Sequence, residues 1–118
     1  MPTIQLKRIY EKPDDNDGIR ILIDRLWPRG ISKKEAKLDF WLKELAPSNE
    51  LRKSFNHDDT KFEWFKEKYT EELASGEQHA ALEKLQRIIK DSKQPITLLY
   101  AAKNKEANNA QVIMQMIQ

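Results

Sequence analysis

Two aliphatic runs near the N-terminus, a long middle with apolar residues every third or fourth position, and one late aliphatic run outline this chain. Residues 3–9 alternate loosely, with Ile4 and Leu6 on one side, and predict a first strand. Residues 19–26 predict a second strand, with Ile19, Ile21 and Ile23 on one face and Leu22 on the other. Aliphatics on both faces fit a strand covered from two sides, as in a parallel sheet. Between the two strands lies a cluster of turn formers, residues 12–18, and Pro28 and Gly30 end the second strand.

Helical spacing then takes over. Ser32 and Glu35 have the spacing of a capping box. The helix they open carries Leu38, Trp41, Leu42 and Leu45 at i, i+3, i+4 and i+7 and is stopped by Pro47. Ser48 caps a short helix with Leu51 and Phe55. Asp58 or Asp59 caps another, with Phe62, Phe65, Tyr69 and Leu73 on its inner stripe, Trp64 off that stripe, and Gly76 closing it. Residues 78–90 form a further helix, with Leu82, Leu85 and Ile89 inward. Pro95 precedes a third strand at residues 96–101, and residues 106–117 form a final helix. Strands two and three are separated by a long helical crossover, which makes them parallel if they share a sheet. The expected class is α/β: one domain over residues 1–118, with a small, mostly parallel sheet of about three strands covered by about five helices.

Composition narrows the chemistry. The absence of cysteine excludes disulfides, thiol catalysis and thiolate metal sites, and two histidines, His57 and His79, are too few for a histidine cage. No metal and no cofactor is expected. The acidic loop at residues 14–18 lacks the ligand order of a calcium loop. No apolar run is long enough to cross a membrane, no signal-peptide stretch opens the chain, and a cytoplasmic location is expected. A net charge of +2 leaves any nucleic-acid claim to local clustering.

Two loops carry that clustering. Residues 24–34 leave the carboxyl end of the second strand with Arg25, Arg29, Lys33 and Lys34 against one acid, Asp24. Ligands of open α/β sheets sit beyond the carboxyl ends of strands. Arginine forks and helix N-terminal amides suit an anion there, Trp27 offers a stacking face, and Asp24 is the only acid or base for catalysis. Each also has an ordinary structural reading: core packing for Trp27, ion pairing for Asp24 and Arg25. The second loop, residues 100–109, leaves the third strand and brings Tyr100, Lys103 and Asn108 to the same crevice if the sheet is parallel. His57 beside Asp58 has the form of half a base–orienter pair, with no nucleophile attached to it.

These two loops and the blocks around them resemble the YeaO-like proteins, a bacterial family under a domain of unknown function. The likeness lies in Arg20-Ile-Leu-Ile-Asp-Arg-Leu-Trp-Pro-Arg-Gly-Ile-Ser32, Trp41-Leu-Lys-Glu-Leu-Ala-Pro-Ser48, Leu51-Arg52 with Phe55 and His57-Asp58, Phe65 with Tyr69, Glu72-Leu73, and Thr97-Leu-Leu-Tyr-Ala-Ala102 followed by Asn108 and Ala110. The resemblance implies a polar residue, often histidine, around positions 107 and 109, where this chain has Ala107 and Asn109, and it implies no reaction. It also implies that Asp24, Arg25, Arg29 and the loop of residues 103–109 line one pocket. The expected partner is a small anionic or phosphate-bearing ligand, with catalysis left open. The second reading is a nucleic-acid or protein-binding module, in which the basic residues from Arg20 to Lys37 meet phosphates.

Overall fold

The elements run β1 (Ile4–Arg8), β2 (Ile19–Leu22), α1 (Lys33–Ala36), β3 (Phe40–Trp41), α2 (Asn49–Phe55), α3 (Phe62–Glu72), α4 (Gly76–Asp91), β4 (Ile96–Tyr100) and α5 (Asn109–Ile117). The computed structural model describes residues 2–117. The strands make one all-parallel sheet in the order β1-β4-β2-β3. The last strand of the chain is thus inserted between the first two, and Leu98 sits opposite both Leu6 and Ile21. All five residues of β4 are buried, as a central parallel strand requires. The class is α/β, with four parallel strands and five helices.

Strand periodicity divides the apolar residues between two layers. Ile21, Ile23, Ile96, Leu98 and Tyr100 face the main core, which α2 to α5 supply with Phe55, Phe65, Tyr69, Leu85 and Ile113. Phe55 stacks on Phe65 at 4.3 Å between ring centroids, and the buried Tyr69 hydroxyl donates to the Leu45 carbonyl at 2.5 Å. On the opposite face Leu22 and Leu99 meet a smaller cluster with Ile9, Ala36, Trp27 and Trp41.

That second face is completed by polar groups. Arg20, 4% exposed, donates through Nε and Nη2 to the Ala36 carbonyl at 3.1 and 2.9 Å, and through Nη1 to Asp17 at 2.5 Å. Lys7 adds a second cation 3.1 Å from Asp17. Burial works against the Asp17 charge, but the Asp14 amide, Lys7 and Arg20 outweigh it and hold the carboxyl below its ordinary range.

The expected helix from Ser32 to Pro47 is corrected here. The capping box forms, with Glu35 N–H donating to Ser32 Oγ at 3.0 Å, but the helix lasts one turn and ends at Lys37 in the left-handed region. The chain then extends as β3. The open edge of β2 needs backbone partners, and the segment supplies them: Asp39 N–H donates to Arg20 O and Leu42 N–H to Leu22 O, both at 2.9 Å. Asp39, Phe40 and Trp41 are also indifferent helix formers. This is the fourth strand that apolar spacing alone concealed. Two smaller corrections concern ends. Gly76, at φ +67, is the first residue of α4 rather than the close of α3. The second strand stops at Leu22, and after Ile23, whose amide still bonds to the Leu99 carbonyl at 3.1 Å, residues 24–26 leave the sheet.

Gly18 marks a close approach. Its φ is +65, and a Cβ there would lie 2.1 Å from the Pro95 carbonyl oxygen, which accepts the Ile19 amide. Gly18→Ala is expected to destabilise by about 1–3 kcal/mol or more in urea denaturation, since strain and collision add. Arg20→Met leaves Asp17 buried with Lys7 alone and is expected to cost about 3–5 kcal/mol at pH 7. The Asp17 carboxyl is depressed, so its contribution is full above its unfolded value near 3.8 and disappears as pH falls through the lower folded value. Arg20→Met should flatten that acid limb in stability measured against pH.

Candidate functional site

The two loops singled out above do meet, at the carboxyl end of the sheet between β2 and β4. Asp24 joins them. One carboxylate oxygen accepts the Ala101 amide at 2.8 Å, and the other accepts the Asn109 side-chain amide at 3.0 Å. Asn109 opens α5, so a single carboxylate ties together the exits of two strands and the start of a helix. The Asp24 carbonyl in turn accepts Trp41 Nε1 at 2.7 Å. Burial raises the Asp24 carboxyl above its ordinary value, and the Asn109 and Ala101 bonds and the nearby His57 charge only partly offset this.

His57 reaches this neighbourhood through backbone conformation. Asn56 and His57 are both left-handed, at φ 45 and 55, which turns the chain sharply between α2 and α3 and leaves His57 exposed. Asp58, its sequence neighbour, is taken up in capping, with Thr60 N–H donating to Asp58 Oδ1 at 3.0 Å. The same junction is tied to the β4–α5 loop, because Asn104 Nδ2 donates to Asp59 at 2.7 Å.

The other candidate residues separate into two groups. Arg25 turns to the helical layer, donating to the Ala46 and Pro47 carbonyls at 3.2 and 3.3 Å, with Glu77 3.7 Å away. Trp27 is half-buried, meets Trp41 edge to face at 5.3 Å and donates to the Ile31 carbonyl at 2.7 Å. Tyr100 is buried in the main core, and burial pushes its hydroxyl up. Asn108 is buried and caps α5, accepting the Gln111 amide at 3.0 Å while donating to the Asn104 carbonyl. Asn104 Oδ1 accepts the amides of residues 106 and 107, which delays the helix expected from residue 106 until Asn109. Arg29 and Lys103 form the second group: both are exposed.

Sequence reading missed Arg8. It ends β1 and donates through Nε and Nη2 to the Ala102 and Ala101 carbonyls at 2.9 and 3.0 Å. Its guanidinium lies 5.1 Å from the centre of the Tyr10 ring, and the Tyr10 hydroxyl donates to the Arg29 carbonyl at 2.9 Å. Arg29, Tyr10, Arg8 and the stretch of residues 101–103 are therefore contiguous at one rim. The missing signal was strand order: only the insertion of β4 beside β1 brings Arg8 there. Among the described residues no three His, Asp or Glu side chains are grouped as for a metal, and no helix is long and apolar enough to cross a membrane.

The match to known proteins covers nearly all of this architecture. A family model described as the inactive DUF488-N3 subclade matches residues 3–118. The chain belongs to that family. The uncharacterized protein YeaO of Escherichia coli K12 is 50% identical over 110 residues, covering 93% of this chain and 92% of its own. The uncharacterized proteins Rv3073c of Mycobacterium tuberculosis H37Rv and Mb3100c of Mycobacterium bovis are 34% identical over 114 residues, covering 97% of this chain and 92% of theirs. No solved structure matches the chain. In this DUF488 chain, Asp24 has both carboxylate oxygens committed to internal donors.

Asp24→Ala is expected to cost about 1–3 kcal/mol, because it strands the Ala101 amide and the Asn109 side chain. Asp24→Asn should cost less, since a flipped Asn109 can accept from the new amide. The folded carboxyl is raised, so wild type gains stability relative to Asp24→Asn as pH falls through that raised value toward the unfolded 3.8. Paired denaturation curves from pH 7 to pH 4 check the sign.

Proposed function

We propose that this protein binds a small anionic or phosphate-bearing ligand at the carboxyl end of its sheet and does not turn it over. The observation that carries this reading is the contiguous rim of Arg8, Tyr10, Arg29 and residues 101–103, held against the Asp24 clamp. Arg8 is fixed by two carbonyls and a ring, and Arg29 and Lys103 extend from the same rim into solvent. The exposed fork of Arg29, unlike that of Arg8, is open to phosphate or carboxylate oxygens.

Binding without catalysis is favoured by the state of Asp24. The Ala101 amide and the Asn109 side chain each hold one Asp24 oxygen, so the carboxylate is engaged in joining the two loops. The family description, an inactive subclade, agrees with that reading.

A thermal-shift series with inorganic phosphate, nucleoside monophosphates and sugar phosphates at low and high salt tests it. A ligand at about 100 times its dissociation constant adds roughly 2.7 kcal/mol, several degrees for a chain of this size. Arg29→Ala is expected to melt like wild type without ligand and to lose most of the shift with it. A full shift in both Arg29→Ala and Lys103→Ala, or a response to oligonucleotides alone that vanishes at high salt, rejects the small-anion reading.

A further inference from the structure

A groove of about 410 Å³ runs between α2 and α3, lined by none of the residues of the anion rim. Its floor is Leu51, which is buried, and its most conspicuous wall is Trp64, 41% exposed. Trp64 stands off the stripe of Phe65 and Tyr69 that anchors α3, so core packing does not account for it. Trp64, Lys68 and Glu71 are spaced i, i+4 and i+7 and make an outward stripe on α3. Glu50 and Glu72 face the groove with them. Ser48 holds Glu72 in place by two bonds, its amide at 2.9 Å and its hydroxyl at 2.5 Å.

The groove is therefore aromatic and acidic. Three carboxylates stand against one ammonium, and that ammonium, Lys68, lies 3.7 Å from Glu71. The cation–π pairs of the described residues engage Tyr10, Trp41 and Phe40, leaving the Trp64 face without a cation. A planar guanidinium satisfies both features at once: it stacks on an indole and donates two parallel bonds to a carboxylate. The volume suits one or two side chains of a peptide at the low end of ligand sites.

We propose that the α2–α3 groove is a docking site for an arginine-bearing peptide segment of a partner protein, with the guanidinium stacked on Trp64 between Glu50 and Glu71. Lys68 competes with the incoming cation, so it sets the affinity from within the groove. This site is separate from the anion rim and opposite to it in charge.

The test is the affinity of a fluorescently labelled Gly-Arg-Gly-Arg-Gly peptide, measured by anisotropy at low salt on the full chain and its surface variants. Trp64→Ala and Glu71→Gln are each expected to weaken binding by about two- to fivefold, the range of an exposed cation–π contact or ion pair. Lys68→Gln is expected to tighten it by a similar factor, an effect that a general loss of structure would not produce. The lysine analogue should bind more weakly and the glutamate analogue not at all. Thermal melts of the variants should match wild type, since Trp64, Lys68 and Glu71 are exposed. No saturable binding, or binding indifferent to both Trp64→Ala and Lys68→Gln, overturns the proposal. Binding to the glutamate analogue through Lys68 also overturns it. Phosphate-dependent thermal shifts should be the same in Trp64→Ala, so this outcome and that of the anion rim are read separately.

Discussion

The buried charge of Arg20 organises one whole side of this molecule. It stands on a central strand, where a side chain cannot reach water, and a guanidinium so placed must find its hydrogen bonds inside the protein. It finds them in the last carbonyl of a one-turn helix and in Asp17, which closes the connection from β1. The Arg20 backbone amide takes Asp39 as well, which turns the chain into β3. The thin face of the sheet is thus closed by a polar network with a small aromatic cluster beside it. The four longer helices, α2 to α5, gather on the other face, over the larger core, while the single turn of α1 stays on the thin face.

Arg20 and Asp24 lie on either side of the apolar stretch of β2 and solve the same problem in opposite directions. Asp17 beside Arg20 is depressed because two cations compensate its burial. Asp24 is raised because its compensation comes chiefly from neutral donors. A raised carboxyl at the end of a parallel strand is the sort of group that enzymes employ. Here the carboxylate joins two loops, accepting the Ala101 amide and the Asn109 side chain. What such a clamp preserves is the arrangement of the two strand exits and the start of α5.

Much of the fold was legible in residues. The aliphatic runs of β2 and β4, the capping box at Ser32 and the stripe of Phe62, Phe65, Tyr69 and Leu73 all appear where their spacing put them. The segment of residues 38–45 was misread because its apolar positions serve both periods: Leu42 and Leu45 join the main core, while Leu38 and Trp41 join the other face. A helix would have put all four on one side, and the demand of the β2 edge for backbone partners prevailed. The candidate site was legible as two loops, but the roles within it were not. Nothing local distinguishes Arg25, which turns to the Ala46 and Pro47 carbonyls, from Arg29, which stays in solvent.

The sequence by itself determined the class, the parallel pairing implied by a long helical crossover, and the convergence of two strand exits. Those follow from local periodicity, turn chemistry and the geometry of crossovers, which act within a few residues or are bounded by chain length. Tertiary structure alone decided the strand order, the fourth strand, the recruitment of Arg8 and the partners of Asp24. Each is a contact between segments far apart in the chain: Asp24 with Ala101 and Asn109, and Arg8 with Ala101 and Ala102. Such contacts depend on which element shields which from water, and that is settled only when the whole core closes.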